Sequence, residues 1–475
     1  MQGGEAEVSR GHSRSYDRRP ERRSEWRSNM SSATAKNPTG GAGSRHVMER
    51  NSLNLVTVAQ VLERDNLHKA YKQVKANKGA PGIDNISVEE FPEYAHRLWG
   101  GINAALLEGT YTPSPVKRVE IPKDSGGTRP LGIPTVMDRV IQQAISQVLT
   151  PVFDPHFSQD SFGFRPNRSA HQAVRKVQKD MREGYHYVVD IDLEKFFDTV
   201  DHDVLMSRVS RRIRDKGLLR LLGKYLRAGV VVDGRLNRTV RGVPQGGPLS
   251  PLLSNILLDD LDRELERRKH RFARYADDCI ILVKSKRAGD RVMARITKYL
   301  EKVLKVKVNT DKSKVVKVQD CSFLGFMFKG KKLIASVKAV MTFKKRLRRF
   351  TGRSWGISMQ DRYGRIRLYI RGWMNYFGIG MKYTDAVALD HWLRRRIGMC
   401  YLKQWGRART RIGHLIKLGS PRHQAILTGL SRKGYWHLAK TFATNCGLSK
   451  EYLQDQGLVS IRVLWIGIHY PAKAR

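Results

Sequence analysis

Two adjacent carboxylates, Asp277 and Asp278, interrupt a segment that otherwise has the makings of a buried strand hairpin, Arg271-Phe272-Ala273-Arg274-Tyr275-Ala276-Asp277-Asp278-Cys279-Ile280-Ile281-Leu282-Val283. A charged carboxylate is costly to bury without a partner. Grouped oxygen ligands of this kind suit a hard divalent cation. They equally suit a solvated hairpin turn, where Asp is favoured, so the rest of the chain has to decide. A second acidic cluster lies upstream, at Asp190-Ile191-Asp192-Leu193-Glu194-Lys195-Phe196-Phe197-Asp198, directly after the strand-like Tyr187-Val188-Val189. On a strand, Asp190 and Asp192 share one face because the side-chain period is two. A carboxylate ending one buried strand, beside a hairpin that carries two more, is what a two-metal phosphoryl-transfer site needs. Taken alone, Asp192 reads first as a carboxylate capping the next helix; the Tyr275–Asp278 box tips the reading towards a metal site.

Charge narrows the choice of partner. In 475 residues, 88 Lys and Arg oppose 44 Asp and Glu, a formal +44. An excess this large makes a compact chain repel itself and calls for a polyanion. Nucleic acid fits best. An anionic membrane fits less well, because no apolar run approaches the roughly 20 residues of a spanning helix and no basic amphipathic anchor is present. The polar N-terminus lacks the apolar core of a signal peptide. The four cysteines, Cys279, Cys321, Cys400 and Cys446, are widely spaced, which argues against a zinc site or a disulfide framework. The expectation is a reduced, intracellular protein with no membrane partner.

Along the chain, residues 1–45 are rich in Ser, Arg, Gly and Glu and are expected to be disordered. Order is expected from about Leu55, with Val58, Leu62, Leu67, Ala70 and Val74 at helical spacings. Val116–Pro122 alternates as a strand and Ser125-Gly126-Gly127 turns it. Residues 137–152 carry a helical stripe of Val140, Ile141, Ala144, Ile145 and Val148. Helices are also expected over about 204–228, from after Pro248 to 267, and over 288–304. Strands and helices mix without a regular βαβ repeat, so the fold class is α+β. After about 336 the chain becomes basic and helical: residues 338–411 hold 19 Lys or Arg and three acidic residues. Phe343, Leu347 and Phe350 mark one apolar helix face, and Leu389, Leu393, Ile397 and Cys400 another. Residues 416–475 read only as a C-terminal extension.

A series of blocks then gives the chain a family likeness. They are Ile121-Pro122-Lys123, Thr128-Arg129-Pro130-Leu131-Gly132-Ile133-Pro134, Ser161-Phe162-Gly163-Phe164-Arg165-Pro166 and Asp192 to His202. After them come Pro244-Gln245-Gly246-Gly247-Pro248-Leu249-Ser250-Pro251, Tyr275-Ala276-Asp277-Asp278 and Phe323-Leu324-Gly325-Phe326. In this order and spacing the chain resembles group II intron reverse transcriptases, from about residue 50 to 440. The resemblance implies a right-hand polymerase: fingers over 46–185, a palm with an antiparallel sheet over 186–335, and a thumb and maturase (X) region over 336–415. It also implies two Mg²⁺ ions held by Asp192, Asp277 and Asp278, with Asp192 preferred to Asp190 by its register with Phe196-Phe197-Asp198.

Further roles follow from the same likeness. Lys123 and Arg129 match residues gripping the incoming triphosphate, and Arg suits that task because its planar fork donates paired hydrogen bonds; both could equally be solvated charges on a hairpin. Phe197 matches an aromatic that crowds a ribose 2′-hydroxyl, a role compatible with plain core packing. Gln245 matches a residue lining the nucleotide pocket, where adjacent glycines let backbone approach a ligand. Lys312 matches a lysine that protonates leaving pyrophosphate, although Lys314 and Lys317 are close by. Ile370-Arg371-Gly372-Trp373-Met374-Asn375-Tyr376-Phe377 is the most recognisable piece of the basic region. Arg346, Arg349, Arg371, Arg394, Arg395 and Arg396 are the candidate RNA contacts. Trp373, Tyr376 and Phe377 stay open between stacking on bases and packing in a core, and Arg394–Arg396 reads as a solvated face.

Many relatives end in a zinc-associated His-Asn-His endonuclease, and the paired cysteines of such a domain are missing here. The expected activity is copying of RNA into DNA from dNTPs, with assistance to the splicing of a bound intron RNA and reverse transcription during its insertion at a DNA target. The expected setting is the bacterial cytoplasm, with nucleoid association when acting on DNA; homodimer formation is left open. Two alternatives stand beside this: a non-enzymatic RNA-binding splicing factor, or a host-recruited reverse transcriptase serving DNA repair or phage defence. If residues 338–411 contact many phosphates, RNA affinity measured against salt falls steeply. A nearly flat dependence would contradict that role.

Overall fold

The computed structural model describes residues 56–122, 127–330 and 332–471. The tail expected to be disordered, 1–45, and Lys123 lie outside them. Helix α1 (Arg64–Ala76) and helix α2 (Phe91–Glu108) lead into strands β1 (Val116–Pro122) and β2 (Thr128–Ile133), an antiparallel pair. Helix α3 (Val136–Phe153) follows, capped by Thr135, whose hydroxyl accepts from the Asp138 amide at 3.1 Å. The expected stripe understates α3. Elements pack on several sides of it, so Asp138, Arg139 and Gln142 are buried beside Val140, Ile141, Ala144, Ile145 and Leu149.

Buried Asp138 is satisfied by convergence. It accepts from Tyr111 Oη at 2.7 Å, Thr135 Oγ1 at 2.7 Å, the Ser114 amide at 3.1 Å and Tyr225 Oη at 3.2 Å. Burial pushes its carboxyl up, and those hydrogen bonds oppose the shift. The network ties α3 to the approach of β1 and to the helix carrying Tyr225.

The chain continues through helix α4 (Ala170–Arg182), strand β3 (Tyr187–Ile191) and helix α5 (Lys216–Leu226). The helix expected over 204–228 is divided into His202–Val209 and α5, because Asp215 starts a new N-terminus by accepting from the Leu218 amide at 2.6 Å. Strands β4 (Val230–Val232) and β5 (Arg235–Asn237) complete the first sheet, in the order β2-β1-β4-β5. Helix α6 (Ser250–Arg267) then precedes the hairpin of β6 (Arg271–Tyr275) and β7 (Asp278–Val283). After helix α7 (Lys286–Val303) comes β8 (Lys314–Lys317), which closes a second, fully antiparallel sheet of order β6-β7-β3-β8.

Both faces of this central sheet are covered, which is why β3 and β7 read as near-continuous apolar runs. Val189, Ile191, Ile281 and Val283 join the main core with α3 and α6. Their alternates Val188, Ile280 and Leu282 face α4 in a smaller core with Phe323, Phe326 and Phe328. That smaller core includes a third sheet, β11-β10-β9, formed by β9 (Ser322–Phe323), β10 (Phe326–Lys329) and β11 (Lys332–Ala335).

The remainder is helical. Helices α8 (Val337–Phe350), α9 (Met359–Phe377) and α10 (Tyr383–Gln404) bury Phe343, Leu347, Ile366, Ile370, Leu389, Leu393 and Ile397 in a core of their own. Residues 417–471 are no loose appendage. Short helices pack back on α10, and the last, Ile461–His469, is held where Trp465 Nε1 donates to the Met381 carbonyl at 2.8 Å and Asp390 accepts from Ser460 Oγ at 2.6 Å. The architecture is a mixed α/β body followed by a helical C-terminal region.

Since Phe343 is wholly buried in that separate core, Phe343→Ala is expected to cost about 3–5 kcal/mol there. Hydrogen exchange should rise through α8 and α9 while β3 and β7 keep their protection. An equal rise in the central sheet would show that the two cores unfold as one.

Candidate active site

Strand pairing assembles the acidic cluster. The register sets Ile191 opposite Cys279, so Asp192 leaves the end of β3 beside Asp278 at the start of β7. Ala276 and Asp277 form the two-residue turn between Tyr275 and Asp278. Ala276 takes φ of +58°, a left-handed value that a residue with a Cβ adopts at some energetic cost. Asp192 is fixed through its backbone: its amide donates to Ser313 Oγ at 3.0 Å, and its carbonyl accepts from the Asn309 amide at 2.8 Å. Its carboxylate is therefore not what anchors it.

The carboxylates feel one another. Asp278 sits in a recess that withdraws part of its hydration while leaving its side chain open to solvent. This partial burial, then the charges of Asp277, Asp190 and Asp192, push its carboxyl up to about 6, with Arg129 pulling the other way. Asp190 is half-buried, and burial raises its carboxyl too, with Lys314 opposing and Asp192 reinforcing the shift. Asp190, passed over for Asp192 on register, thus belongs to the same field of negative charge. Its position two residues before Asp192 on a strand was the available signal.

Among the described residues, no group of three or more His, Cys, Asp or Glu side chains is closed into a metal-holding cluster. Asp192 Oδ2 instead faces Lys312 Nζ at 3.4 Å, both side chains being well exposed. A pair this open contributes roughly 0–1 kcal/mol and is readily exchanged for a stronger cation. Hard carboxylate oxygens at one sheet end, with a lysine already drawn to Asp192, are the donor type a divalent ion takes.

The opposite wall comes from the first sheet. The Gly132 amide donates to the Gln245 carbonyl at 2.6 Å, lacing β2 to the Pro244–Pro248 loop. Gly246 has φ of +122°, and a Cβ there would strike the Gly132 carbonyl. Exposed Arg129 rises from β2 within electrostatic reach of Asp278, while Gln245 is half-buried in the laced loop. Half-buried Phe197 meets Phe196 edge-on, its carbonyl accepting from the Val243 amide at 2.6 Å. Lys312 and Arg129 are thus brought to the aspartates, Gln245 is laced to the strand that carries Arg129, and Phe197 is tied by its backbone to Val243, just before the Gln245 loop.

Carboxylates at the end of an antiparallel sheet with Arg129 in electrostatic reach define a class that suits metal-assisted phosphoryl transfer. Comparison with known proteins then specifies it. Residues 121–328 match the reverse transcriptase (RNA-dependent DNA polymerase) family, and residues 340–419 match the group II intron, maturase-specific domain. Protein YkfC of Escherichia coli is 35% identical over 56% of this chain and 80% of its own length. The group II intron-encoded protein LtrA of Lactococcus lactis is 37% identical over 46% of this chain, but only 37% of LtrA is covered. A putative COX1/OXI3 intron 2 protein of Saccharomyces cerevisiae is 38% identical over 42% of this chain and 23% of its own. The chain belongs to the group II intron family of reverse transcriptases with a maturase domain, and it is an RNA-directed DNA polymerase. Enzymes of this family use divalent metal ions.

The basic region divides on inspection. Arg346, Arg349 and Arg371 are exposed, Arg346 with its guanidinium over the Phe350 ring. The solvated face expected at Arg394–Arg396 is corrected for Arg396. Arg396 donates to Thr351 Oγ1 at 2.8 Å and to the Arg348 and Thr351 carbonyls, closing the C-terminus of α8. Arg395 lies on the Trp436 ring at 3.9 Å and donates to the Trp436 carbonyl, and Arg394 meets His391 at 2.9 Å. A charge run in sequence cannot show that carbonyls from other helices will claim its donors. The open aromatics resolve towards packing: Trp373 is buried 4.3 Å from the Phe343 ring, and Tyr376 Oη donates to the Leu324 carbonyl.

Arg396→Ala removes a helix-end cation and its hydrogen bonds, so it is expected to cost about 1–2 kcal/mol of stability with RNA affinity held within twofold. Arg371→Ala should do the reverse, which thermal melts and filter binding on the two variants would distinguish.

Proposed function

We propose that this chain is an active right-hand polymerase that binds a group II intron RNA, assists its splicing and copies it into DNA with two Mg²⁺ ions. The first sheet with α1–α3 serves as fingers, the central sheet as palm, and α8–α10 as thumb and maturase surface. The observation that carries the reading is the joint placement of Asp192, Asp277 and Asp278 at one sheet end, with Arg129 of the fingers in reach. Intron RNA as partner draws on the maturase-domain match and on LtrA, of which this chain covers 37%.

In this reading Asp192, Asp277 and Asp278 hold the ions. When bound, the ions lower the pKa of the primer hydroxyl and neutralise charge gathering on the phosphorus. The chain's own residues do the positioning that dominates phosphoryl transfer. Arg129, with Lys123, grips the triphosphate. Gln245 and the backbone around Gly246 present a surface that a base and sugar can approach closely. Phe197 stands against the sugar and disfavours a 2′-hydroxyl. Lys312, beside Asp192, gives a proton to the departing pyrophosphate oxygen.

Asp277→Ala is expected to abolish primer extension on an RNA template while leaving RNA affinity within twofold. Extension that survives this change would remove the metal assignment, and a wild-type chain that binds RNA but never extends a primer would favour the splicing-factor alternative.

A further inference from the structure

Arg274 is an arginine whose side chain has no exposure at all, facing Asp262, whose side chain has none either. A buried guanidinium is tolerated only when its donors are met, and here all five are. Nε and Nη2 form a fork on Asp262 at 2.7 and 2.5 Å. Nη2 also donates to Ser161 Oγ at 2.8 Å. Nη1 donates to Asn255 Oδ1 at 2.9 Å and to the Ala276 carbonyl at 2.9 Å. Asn255 and Asp262 are seven residues apart on α6, two turns along one face.

Four of these five bonds anchor the guanidinium on α6 and on the Ser161 loop. The fifth holds the carbonyl of Ala276, the strained residue immediately before Asp277. The anchoring loop is itself fixed to the same strand, with the Phe162 amide donating to the Arg274 carbonyl at 2.8 Å and the Arg274 amide to the Asp160 carbonyl at 2.9 Å. Asn255 Nδ2 then donates to the Gly163 carbonyl at 2.8 Å. Gly163 lies so close under the turn that a Cβ there would run into the Ala276 amide nitrogen. The turn is seated from below and tethered from behind.

We propose that Arg274, locked by Asp262 and Asn255, is the positioning residue that fixes the Asp277–Asp278 turn against β3, an inference that rests on the polymerase reading above. The turn needs such a hold, because it carries a left-handed alanine and two carboxylates repelled by Asp192. Burying an ion pair is a poor way to gain stability, since apolar side chains of similar size often do as well. What apolar side chains cannot do is bind the Ala276 carbonyl.

The test replaces the pair together, Arg274→Met with Asp262→Leu, so that no unpaired charge stays buried. Single-nucleotide incorporation on an RNA template is read as kcat and KM, alongside template–primer affinity and hydrogen exchange of a peptide spanning 275–279. A misplaced catalytic group costs about 100-fold, so kcat should fall by that order. KM for dNTP and duplex affinity should stay within about threefold, and exchange should rise at the turn alone. A kcat within threefold of wild type in a folded variant overturns the proposal. If the double variant does not fold, Asn255→Leu, which keeps the ion pair, decides by the same split, with a fall of about tenfold expected and no fall overturning it. If wild-type protein fails to extend a primer, the polymerase reading falls separately, and unchanged exchange at the turn then overturns the clamp.

Discussion

Carboxylates gathered at one sheet end repel each other, and much of the surrounding structure is arranged to keep them there. Asp192 is carried on a strand buried on both faces, and its own amide and carbonyl are tied to Ser313 and Asn309. Asp277 and Asp278 are carried on a hairpin whose turn is held through Arg274. Neither side can relax away from the other without unpairing β3 from β7 or giving up the hydrogen bond from buried Arg274 to the Ala276 carbonyl. The repulsion is therefore retained, and after the loss of hydration it adds to the raised carboxyl of Asp278. A site with that repulsion gains affinity for cations from the charge it could not otherwise keep together.

The Arg129 side of the site obeys a different constraint, close approach of backbone. Gly132 and Gly246 let β2 and the Pro244–Pro248 loop touch main chain to main chain, so that Arg129 and Gln245 belong to one wall although more than a hundred residues separate them. The C-terminal helices join the central body through a small aromatic contact: His171 Nε2 lies 2.7 Å from the Tyr376 carbonyl, and Phe326 meets Phe377 at 5.3 Å. Side chains that read as base-stacking candidates are used to seat one region on the other. Arginines such as Arg346, Arg349 and Arg371 remain exposed on the C-terminal region.

Legibility in the sequence followed how local each interaction is. The strand at Tyr187–Ile191, the β6–β7 hairpin, α3 and α6 were readable because period and punctuation are local properties. The grouping of Asp192 with Asp277 and Asp278 was readable only through the ordered series of blocks, since no local pattern pairs residues 85 positions apart. Arg274 was in plain view, one residue before the Tyr275–Asp278 box, and still carried no signal. Its acceptors come from residues 161, 255, 262 and 276, and an arginine destined for burial looks like one destined for solvent. Arg396 went unread for the same reason, its acceptors lying on a helix some 45 residues away. Long-range satisfaction of polar groups is decided by packing, and packing is the part of a fold that a single sequence conceals.

Mn²⁺ titration followed by electron paramagnetic resonance, with template–primer and a non-hydrolysable dNTP present, tests the cluster most directly. Two tightly bound ions per wild-type chain, and loss of at least one in Asp277→Asn, are expected if Asp192, Asp277 and Asp278 form a single cation site. Wild-type stoichiometry and affinity in Asp277→Asn would contradict it.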